Sequence, residues 1–467
     1  MRVAIIGAGP AGLAAGLELS RRGVPVVVYE AGPHVGGMSR SFQLWGQTVD
    51  VGPHRFFSLD ERVKSLWSDL LGDDRRVVRR RTRIRFRGRF IEYPLRPLNA
   101  LGAMGIVEAA RCMASFCAAG LVRRARGDDE ESFESLMVRR FGRRLFETFF
   151  RSYSEKVWGV SCDRLSADFA EQRIRGFSLG EAVRATWSTA VRRRHATIAD
   201  GFDYPLSGAG EVYRRMARRI EAAGGQVRLC SPVESVITQD RGVVGVRLVG
   251  GATEPHDRVV STMPLPMLLR GLAGVPPDVQ ASVSRLRFRH AAIVYLHVAA
   301  SDLFPDQWVY VHSPDVRMGR VTNFRNWVPE ITHGLPSTIL AVEYWHDERE
   351  TPAFADERAM AALAERDLRA TGLLGRERVT DGFLLRVPGC YPVYELGYRR
   401  EVARIAAWLA ECRGLTVIGR GGAFKYNNQD HSMLMGLQAA DNIMADRPHD
   451  LWAVNTDYGR YQEATAR

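Results

Sequence analysis

The chain has 467 residues, 46% hydrophobic and 25% charged, which is the composition of a globular protein with room for more than one domain. Its net charge of +12 is dominated by arginine. Its six cysteines form no CxxC pair and have no histidines at metal-ligand spacing, which argues against a zinc site or a disulfide framework. We therefore expect no bound metal, a cytoplasmic location and, since the N-terminus opens into a strand pattern, no signal peptide.

A nucleotide-binding turn is predicted at the N-terminus, where an apolar strand leads into Gly7, Gly9 and Gly12 and then into an Ala- and Leu-rich helix. Glycines there permit a tight turn and let backbone N–H groups approach a pyrophosphate at the helix N-terminus. A second apolar strand ends at Glu30, where a carboxylate can accept hydrogen bonds from a ribose 2′-OH. The order of strand, loop, helix, strand and acid is complete, and it predicts a nucleotide cofactor.

Two stretches further along the chain bear on nucleic acids and membranes. The arginine-rich run 75–89 contains Arg-Ile-Arg-Phe-Arg, which predicts an amphipathic strand with one charged face rather than a nucleic-acid interface. The apolar stretch 98–122 is nearly long enough to span a bilayer, but Glu108 and Arg111 near its middle favour a buried or interfacial helix pair. We expect no nucleic-acid partner and no transmembrane span, and weak membrane contact stays open.

Residues 32–42 follow the first turn with a second glycine pair, Gly36 and Gly37, and with Arg40. These residues would let the chain follow another part of the same cofactor. Together with the N-terminal turn, they resemble the FAD-binding superfamily that includes amine oxidases, protoporphyrinogen oxidase and UDP-galactopyranose mutase. The resemblance implies FAD as the cofactor.

Two distant segments support this resemblance. Residues 224–251 predict a strand, a turn and a hairpin, and the matching segment of the superfamily, which here includes Val233, covers the adenine. Residues 414–444 predict a strand, a glycine turn that carries Arg420, and a long helix. In the superfamily such a helix points its positive N-terminal end at the flavin.

The fold class that follows is α/β, with a Rossmann-like FAD-binding domain of the GR2 type and a discontinuous substrate domain of helices plus an antiparallel sheet. The FAD-binding domain is expected to be discontinuous as well. It is assigned residues 1–95, 210–270 and 410–450. Residues 96–200 are assigned to a helical substrate-binding region, and residues 275–405 carry strand patterns and are assigned to the antiparallel sheet.

The stretch Tyr-Ser-Glu-Lys-Val-Trp-Gly, residues 153–159, resembles a segment of the UDP-galactopyranose mutase family, Tyr-Thr-Glu-Lys-x-Trp-Gly. In that family the tyrosine contacts the substrate pyrophosphate and the tryptophan stacks on the uracil, which implies these roles for Tyr153 and Trp158. An indole face contributes about 1–3 kcal/mol of base stacking. The alternative is that Trp158 closes a helix bundle and that Glu155 and Lys156 are surface charges.

The resemblance to the mutases extends nearly end to end and implies further site residues. In chain order these are His54 at the flavin face, Arg173 near the substrate, Arg320 on the diphosphate, Tyr391 and Tyr426 on the phosphates, Arg420 on the cofactor and Asn428 beside the substrate. Two departures concern the same region. Phe57 stands where the mutases carry a second histidine, and Asn427 with Asn428 replaces a Tyr-Asp pair.

Two functions are compatible with these patterns. In the first, the protein acts on a nucleotide-diphosphate sugar as a pyranose/furanose mutase, a net redox-neutral isomerisation through a reduced-flavin N5–sugar adduct, with Arg173 and Arg320 stabilising the leaving diphosphate. This reaction needs an external flavin reductant. In the alternative, an FAD-dependent oxidoreductase removes hydride from a small molecule or a sugar, in a pocket to which Phe56, Phe57 and residues 98–122 contribute. The identity of the sugar and the base, and a homodimer, stay open.

Overall fold

The computed structural model describes residues 1–93, 105–121, 130–169, 201–444 and 449–455. A π-helical stretch, Phe146–Arg151, lies directly before the helix that carries the aromatic stretch 153–159. The α-helices in the described residues are Pro10–Arg21, Glu61–Leu71, Ile106–Leu121, Phe133–Phe141, Arg143–Leu145, Ser152–Trp158, Glu211–Ala222, Leu265–Arg270, Pro277–Arg285, Glu357–Ala370, Tyr398–Ala410, Gly419–Gly422 and Gln429–Met444.

The strands form two large sheets and three small ones. In chain order they are β1 (Val3–Ile6), β2 (Val26–Tyr29), β3 (Ser41–Leu44), β4 (Gln47–Asp50), β5 (Arg75–Arg79), β6 (Thr82–Phe86), β7 (Arg89–Glu92), β8 (Gly201–Pro205), β9 (Gln226–Arg228), β10 (Val233–Gln239), β11 (Gly242–Leu248), β12 (Thr253–Pro255), β13 (Arg258–Ser261), β14 (Arg287–Val298), β15 (Trp308–Val311), β16 (Arg320–Asn323), β17 (Thr338–His346), β18 (Val379–Val393) and β19 (Leu415–Val417).

The first large sheet is parallel, in the order β19-β13-β1-β2-β9. Both β1 and β2 are buried throughout, as expected for strands covered on both faces. The helices Pro10–Arg21 and Gln429–Met444 pack closely, since a Cβ atom at Gly436 would overlap the carbonyl oxygen of Ala11. The Rossmann-like arrangement expected from the sequence is therefore confirmed.

The predicted hairpin after β9 is also confirmed. Strands β10 and β11 pair in antiparallel register from Val233 opposite Leu248 to Gln239 opposite Gly242, and β12 extends them to a three-stranded sheet. The turn between β10 and β11 holds Asp240 and Arg241 at positive φ, which closes it tightly.

The second large sheet has the order β18-β14-β17-β16-β15-β6-β7. Its neighbours pair in antiparallel fashion except for β15 and β6, which are parallel. The arginine-rich run is thus divided among three strands instead of one. Strands β6 and β7 lie within the range 1–95 assigned to the FAD-binding domain, yet they hydrogen-bond to this sheet because Ile84, Phe86 and Ile91 face its core.

Arginines alternate with apolar residues along β6, and these arginines have partners within the protein. The guanidinium of Arg83 forms an ion pair with the fully buried carboxylate of Asp306 at 2.6 Å and lies over the Phe90 ring at 4.1 Å. Arg85 also lies over Phe90, at 4.9 Å, and donates to the Thr371 carbonyl oxygen. These arginines hold strands together, which agrees with the prediction of an amphipathic strand.

The apolar stretch of the helical region becomes the helix Ile106–Leu121, which packs on neighbouring helices. Glu108 lies 2.5 Å from Arg144, and a Cβ atom at Gly142 would lie 2.6 Å from the Phe116 nitrogen. Across the described ranges, no helix combines the length and the apolar character needed to cross a membrane.

Asp50, fully buried at the end of β4, links the two small sheets β3-β4 and β5-β8 to β14 of the second large sheet. Its carboxylate accepts hydrogen bonds from the Ser41 hydroxyl (2.5 Å), the Tyr204 hydroxyl (2.6 Å) and the Ala209 N–H (3.2 Å). Its carbonyl oxygen accepts one from the Tyr295 hydroxyl of β14 (2.7 Å). Burial raises the pKa of Asp50 to about 6, while these donors stabilise the carboxylate form.

The Asp50→Ala substitution should destabilise the protein strongly. It leaves three buried donors without an acceptor, each of which costs about 1–3 kcal/mol. We expect the free energy of unfolding to fall by roughly 3–5 kcal/mol, measured by urea denaturation at pH 7.5 with tryptophan fluorescence. The control, Asp278→Ala, removes a carboxylate that is 64% exposed and should have little effect. Equal unfolding midpoints for the two variants would contradict the role given to Asp50.

Candidate active site

The N-terminal glycines form a cradle in which the backbone has no space for side chains. Gly7 has φ of +99°, and a Cβ atom there would overlap the Thr262 hydroxyl oxygen. A Cβ at Gly12 would overlap the Gly7 carbonyl oxygen, and one at Gly37 would lie 3.1 Å from the Gly9 Cα. The two glycine turns therefore contact each other at the start of the helix Pro10–Arg21. Because glycines have no side chains, a phosphate can approach the backbone N–H groups there.

Glu30 lies beside this cradle and is held by backbone donors. Its carboxylate oxygens accept the N–H groups of Ala8 (2.8 Å) and Gly32 (2.9 Å). The carbonyl of Glu30 accepts the N–H of Ser231 at 2.8 Å, which brings the base of the hairpin, with Val233, close to this end of the cradle. A carboxylate oxygen has a second lone pair, so both oxygens can still accept a ribose hydroxyl.

Arg420 has buried hydrogen-bond donors that a cofactor could pair. Its Nη1 donates to the Asn427 carbonyl oxygen at 3.1 Å, but its Nε and Nη2 are buried and have no hydrogen-bond partner in the structure. Buried guanidinium donors are normally paired, so these two require an acceptor that the described residues do not provide. Arg40, whose pKa is lowered by burial, donates to the Gly37 carbonyl at 2.8 Å beside the cradle. The cradle and the two unpaired donors fit FAD.

His54 is placed by the segment that follows Asp50. Its Nε2 donates to the Val51 carbonyl oxygen at 2.8 Å, and the Met38 backbone also hydrogen-bonds to the imidazole. Burial, together with the positive charges of Arg320 and Arg420, lowers the pKa of His54 to about 4. The imidazole is therefore neutral at pH 7 and lies within the electrostatic reach of both arginines.

Arg320 is fixed by a buried carboxylate that sequence analysis missed. Its Nε and Nη2 donate to the two oxygens of Glu343 at 2.7 and 2.5 Å, and Nη2 also lies 3.5 Å from the Tyr391 hydroxyl. Glu343 is 2% exposed and stands in β17, which is otherwise apolar on both sides of it. The sequence does contain a signal for Glu343, namely a single carboxylate inside an otherwise apolar strand.

The phenol rings of Tyr391 and Tyr426 stack on each other, with centroids 5.6 Å apart and planes at 18°. The guanidinium of Arg420 lies over both rings, at 4.8 and 4.3 Å from their centroids. Burial raises the pKa of the Tyr391 phenol, so it remains a hydrogen-bond donor at neutral pH. The four predicted residues His54, Arg320, Tyr391 and Tyr426 thus lie in one cluster with Arg420.

Trp158 belongs to the wall of this cluster. Its ring meets Phe169, Tyr391 and Tyr426 edge-on, at centroid distances of 4.2, 6.1 and 5.7 Å, and it is 2% exposed. Its stacking on a base, inferred from the mutase resemblance, stays a prediction. In the structure the indole is covered by surrounding protein and is not exposed at the surface of the site.

Tyr153 lies on the same side and stacks on His312, with centroids 4.0 Å apart and planes at 12°. His312 was not predicted; its Nδ1 donates to the carbonyl oxygen of Phe149 in the π-helical stretch, and burial lowers its pKa to about 3. Trp345 connects this pair to the cluster, since its ring lies 6.3 Å from Tyr153 and 6.4 Å from Tyr391.

Three predicted residues remain, and their roles stay predictions. Asn428 is exposed, and its carbonyl accepts the Ser432 N–H at the start of the last helix. Arg173 lies outside the described residues. Phe56, considered for an oxidase pocket, stacks on Trp67 at 3.7 Å and belongs to the core beneath the parallel sheet. In the part of the chain that the structure describes, no group of His, Cys, Asp and Glu side chains could hold a metal ion.

The fold and the cradle define a flavoprotein with a dinucleotide-binding domain. The profile of the family described as flavin containing amine oxidoreductase matches residues 10–379, and the chain belongs to this family. FAD is its cofactor.

Curated relatives match only part of the chain. A 4,4'-diapophytoene desaturase (4,4'-diapolycopene-forming) from Methylomonas sp is 25% identical over 290 residues, 55% of this chain and 52% of that protein. A coproporphyrinogen III oxidase from Mycobacterium leprae is 25% identical over 322 residues, 64% of this chain and 68% of that protein. The chain thus spans about half the length of the curated desaturase.

Solved structures match along the whole chain. A reduced UDP-galactopyranose mutase superimposes with a TM-score of 0.84 at 21% identity and covers 100% of this chain and 98% of its own. A putative protoporphyrinogen oxidase from Exiguobacterium sp. 255-15 gives 0.74 at 16% identity, with 96% and 99% covered. These likenesses confirm the fold that the sequence resemblance implied.

The Arg420→Ala substitution should weaken FAD binding. Hydrogen bonds from a charged donor are worth about 1.5–3 kcal/mol each, so the loss of two of them should increase the FAD dissociation constant by roughly a hundredfold or more. The measurement is titration of the deflavinated protein with FAD, followed by flavin fluorescence. Arg218→Ala, which removes a guanidinium that is 65% exposed, is the control. Equal affinities of the two variants for FAD would exclude Arg420 as a cofactor ligand.

Proposed function

We propose that this flavoenzyme acts on a nucleoside-diphosphate sugar and interconverts pyranose and furanose forms without net oxidation. The observation that supports the proposal is the convergence of Arg320 and Arg420 on the stacked phenols of Tyr391 and Tyr426. Guanidinium and phenol groups donate hydrogen bonds, and such a set suits a ligand rich in anionic oxygens, as a diphosphate is.

The side chains of the cluster would bind and orient the substrate. When bound and reduced, FAD supplies an electron-rich nitrogen for the anomeric carbon of the sugar. The Tyr391 hydroxyl and the remaining donors of Arg320 would stabilise the negative charge that grows on the departing diphosphate. Glu343 holds the Arg320 guanidinium in one orientation before the substrate binds. Neutral His54 would stand at the flavin face without adding charge.

Predicted residues outside this cluster would also contact the substrate. Tyr153 and Arg173 would contact the phosphates, and Trp158 would form the wall next to the base. An external reductant must keep the flavin reduced, since the isomerisation itself consumes no electrons. The nucleoside-diphosphate sugar is therefore the proposed partner, together with a source of reducing equivalents.

A second candidate function is hydride removal by oxidised flavin from a less charged substrate. It is favoured by the ion pair of Arg320 with Glu343, which neutralises this arginine within the site. The ring-lined surroundings, with Trp158 and Trp345 beside Tyr391, also suit an apolar ring or chain. The names of the partial relatives, a desaturase and a porphyrinogen oxidase, are consistent with such chemistry.

Anaerobic incubation with UDP-, TDP- and GDP-linked hexopyranoses separates the two functions. We expect enzyme reduced with dithionite to convert one of them into a product of equal mass, without consuming reductant per turnover, and oxidised enzyme to be inert. Chromatography with mass detection measures the products. Bleaching of oxidised flavin by the substrate, with a product two mass units lighter, would establish the oxidoreductase instead.

The Arg320→Lys substitution tests how the leaving group is stabilised. An ammonium group cannot reproduce the planar contact with Glu343, so the charge would no longer be aimed at the diphosphate. We expect kcat to fall by about tenfold to a hundredfold and the substrate dissociation constant to change much less, because the charge develops only as the bond breaks. Single-turnover kinetics and calorimetry measure the two quantities. Arg400→Lys, at a side chain that is 78% exposed, should match the unmodified enzyme. A rise in the dissociation constant with unchanged kcat would assign Arg320 to ground-state binding.

A further inference from the structure

Lysine is rare in this chain, and two of its lysines lie next to the candidate site. Of the 65 basic Lys and Arg residues, only Lys64, Lys156 and Lys425 are lysines. Lys64 forms an exposed pair with Glu61, one turn away on the helix Glu61–Leu71. In an arginine-rich chain, a lysine at a partly buried position indicates that the compact shape of the ammonium group matters there.

The Lys156 ammonium is surrounded by carbonyl groups of a single loop. Its Nζ donates to the carbonyl oxygens of Ser313 (2.9 Å), Val316 (2.8 Å) and Met318 (3.2 Å). The three N–H bonds of an ammonium diverge from one point and match three carbonyls, which a planar guanidinium cannot do. Burial lowers the pKa of Lys156 to about 8, and it stays mostly protonated at pH 7. The alternative interpretation, in which Lys156 is a surface charge, is therefore wrong for this residue.

The loop 312–319 connects β15 to β16, and Arg320 is the first residue of β16. On its other side, the Asp367 carboxylate accepts the N–H groups of Arg317 (3.1 Å) and Met318 (2.9 Å). The loop is thus fixed through its carbonyls by a cation and through its amides by an anion. The fixed loop determines where Arg320 enters the site.

The helix Ser152–Trp158 carries the side chains that contact this loop. Tyr153 precedes Lys156 by three residues, so both project from one face of the helix. The Tyr153 ring stacks on His312, which begins the same loop. Arg289 fixes the end of the helix from below by donating to the carbonyl oxygens of Lys156 (3.3 Å) and Val157 (3.2 Å).

We propose that Lys156 is a positioning residue that fastens the loop 312–319 to the helix Ser152–Trp158 and so fixes Tyr153 and Arg320 relative to each other. The inference rests on the proposed function as far as it concerns a diphosphate held between these two side chains. Lys156 itself does not contact the reacting atoms. Its effect reaches the site through the loop and the helix that it joins.

The test compares Lys156→Met, Lys156→Arg and the exposed control Lys64→Met. We expect all three to bind FAD fully, and kcat per bound flavin to fall by roughly tenfold to a hundredfold in Lys156→Met, less in Lys156→Arg and not in Lys64→Met. Hydrogen exchange of the amides 313–319 should be faster in Lys156→Met, because the loop has lost one of its two anchors. Wild-type kcat together with wild-type exchange in Lys156→Met would overturn the proposal. So would a lower melting temperature with unchanged kcat, since that identifies a purely structural role.

Labelling of the unmodified holoenzyme provides a measurement that needs no variant to fold. With only three lysines, acetylation by sulfo-N-hydroxysuccinimide acetate can be followed at each residue by mass spectrometry. We expect rapid labelling of Lys64 and slow labelling of Lys156, whose ammonium is occupied by three carbonyls. Equal rates at the two residues would overturn the proposal.

The same readouts separate this inference from the proposed function. If no UDP-, TDP- or GDP-linked hexose is converted by the unmodified enzyme, the proposed function fails. The exchange and acetylation experiments still decide whether Lys156 fastens the loop. If a sugar nucleotide is converted and Lys156→Met is as active as the unmodified enzyme, the positioning role fails alone.

Discussion

A carboxylate in a protein interior must be surrounded by donors, and this requirement at Asp50 organises the centre of the molecule. The donors come from β3, β8 and the turn before the helix Glu211–Ala222, and β14 adds a bond to the backbone carbonyl. Four separate parts of the chain are thereby brought to one point at β14 of the second large sheet. The next residues, Val51 to His54, start from this fixed point and enter the site, where a Cβ at Gly52 would lie 3.4 Å from Glu343.

The two arginines of the site differ in how the protein compensates their buried charge. Arg320 has a carboxylate partner of its own, so its cost of burial is offset within the protein and its orientation is fixed. Arg420 keeps two donors without a partner and lies between aromatic rings, which attract a cation but accept no strong hydrogen bond. The first arrangement fixes the orientation of the guanidinium, and the second leaves two buried donors that fit an acceptor group of the cofactor.

Much of the fold and part of the site follow from local sequence patterns. The glycine turn, Glu30, the hairpin after β9 and the last helix are encoded within short segments, and all occur as the sequence predicts. The pairing of β6 with β15, the carbonyl partners of Lys156 and the contacts of Trp158 with Tyr391 and Tyr426 join residues that are distant in sequence. Local periodicity carries no information about such contacts. Glu343 is the intermediate case, since its isolation in an apolar strand is visible in the sequence while its partner is not.

The close contact of Gly436 with Ala11 has a consequence for the order of events during synthesis on the ribosome. Strand β1 and the glycine cradle emerge first, but β13, β19 and the helix Gln429–Met444, which complete the sheet and cover the first helix, emerge several hundred residues later. Until then the apolar surface of the early segment stays without its final partner. The flavin domain is therefore complete only when these late segments pack on the early one, and that step carries the entropic cost of closing a long loop.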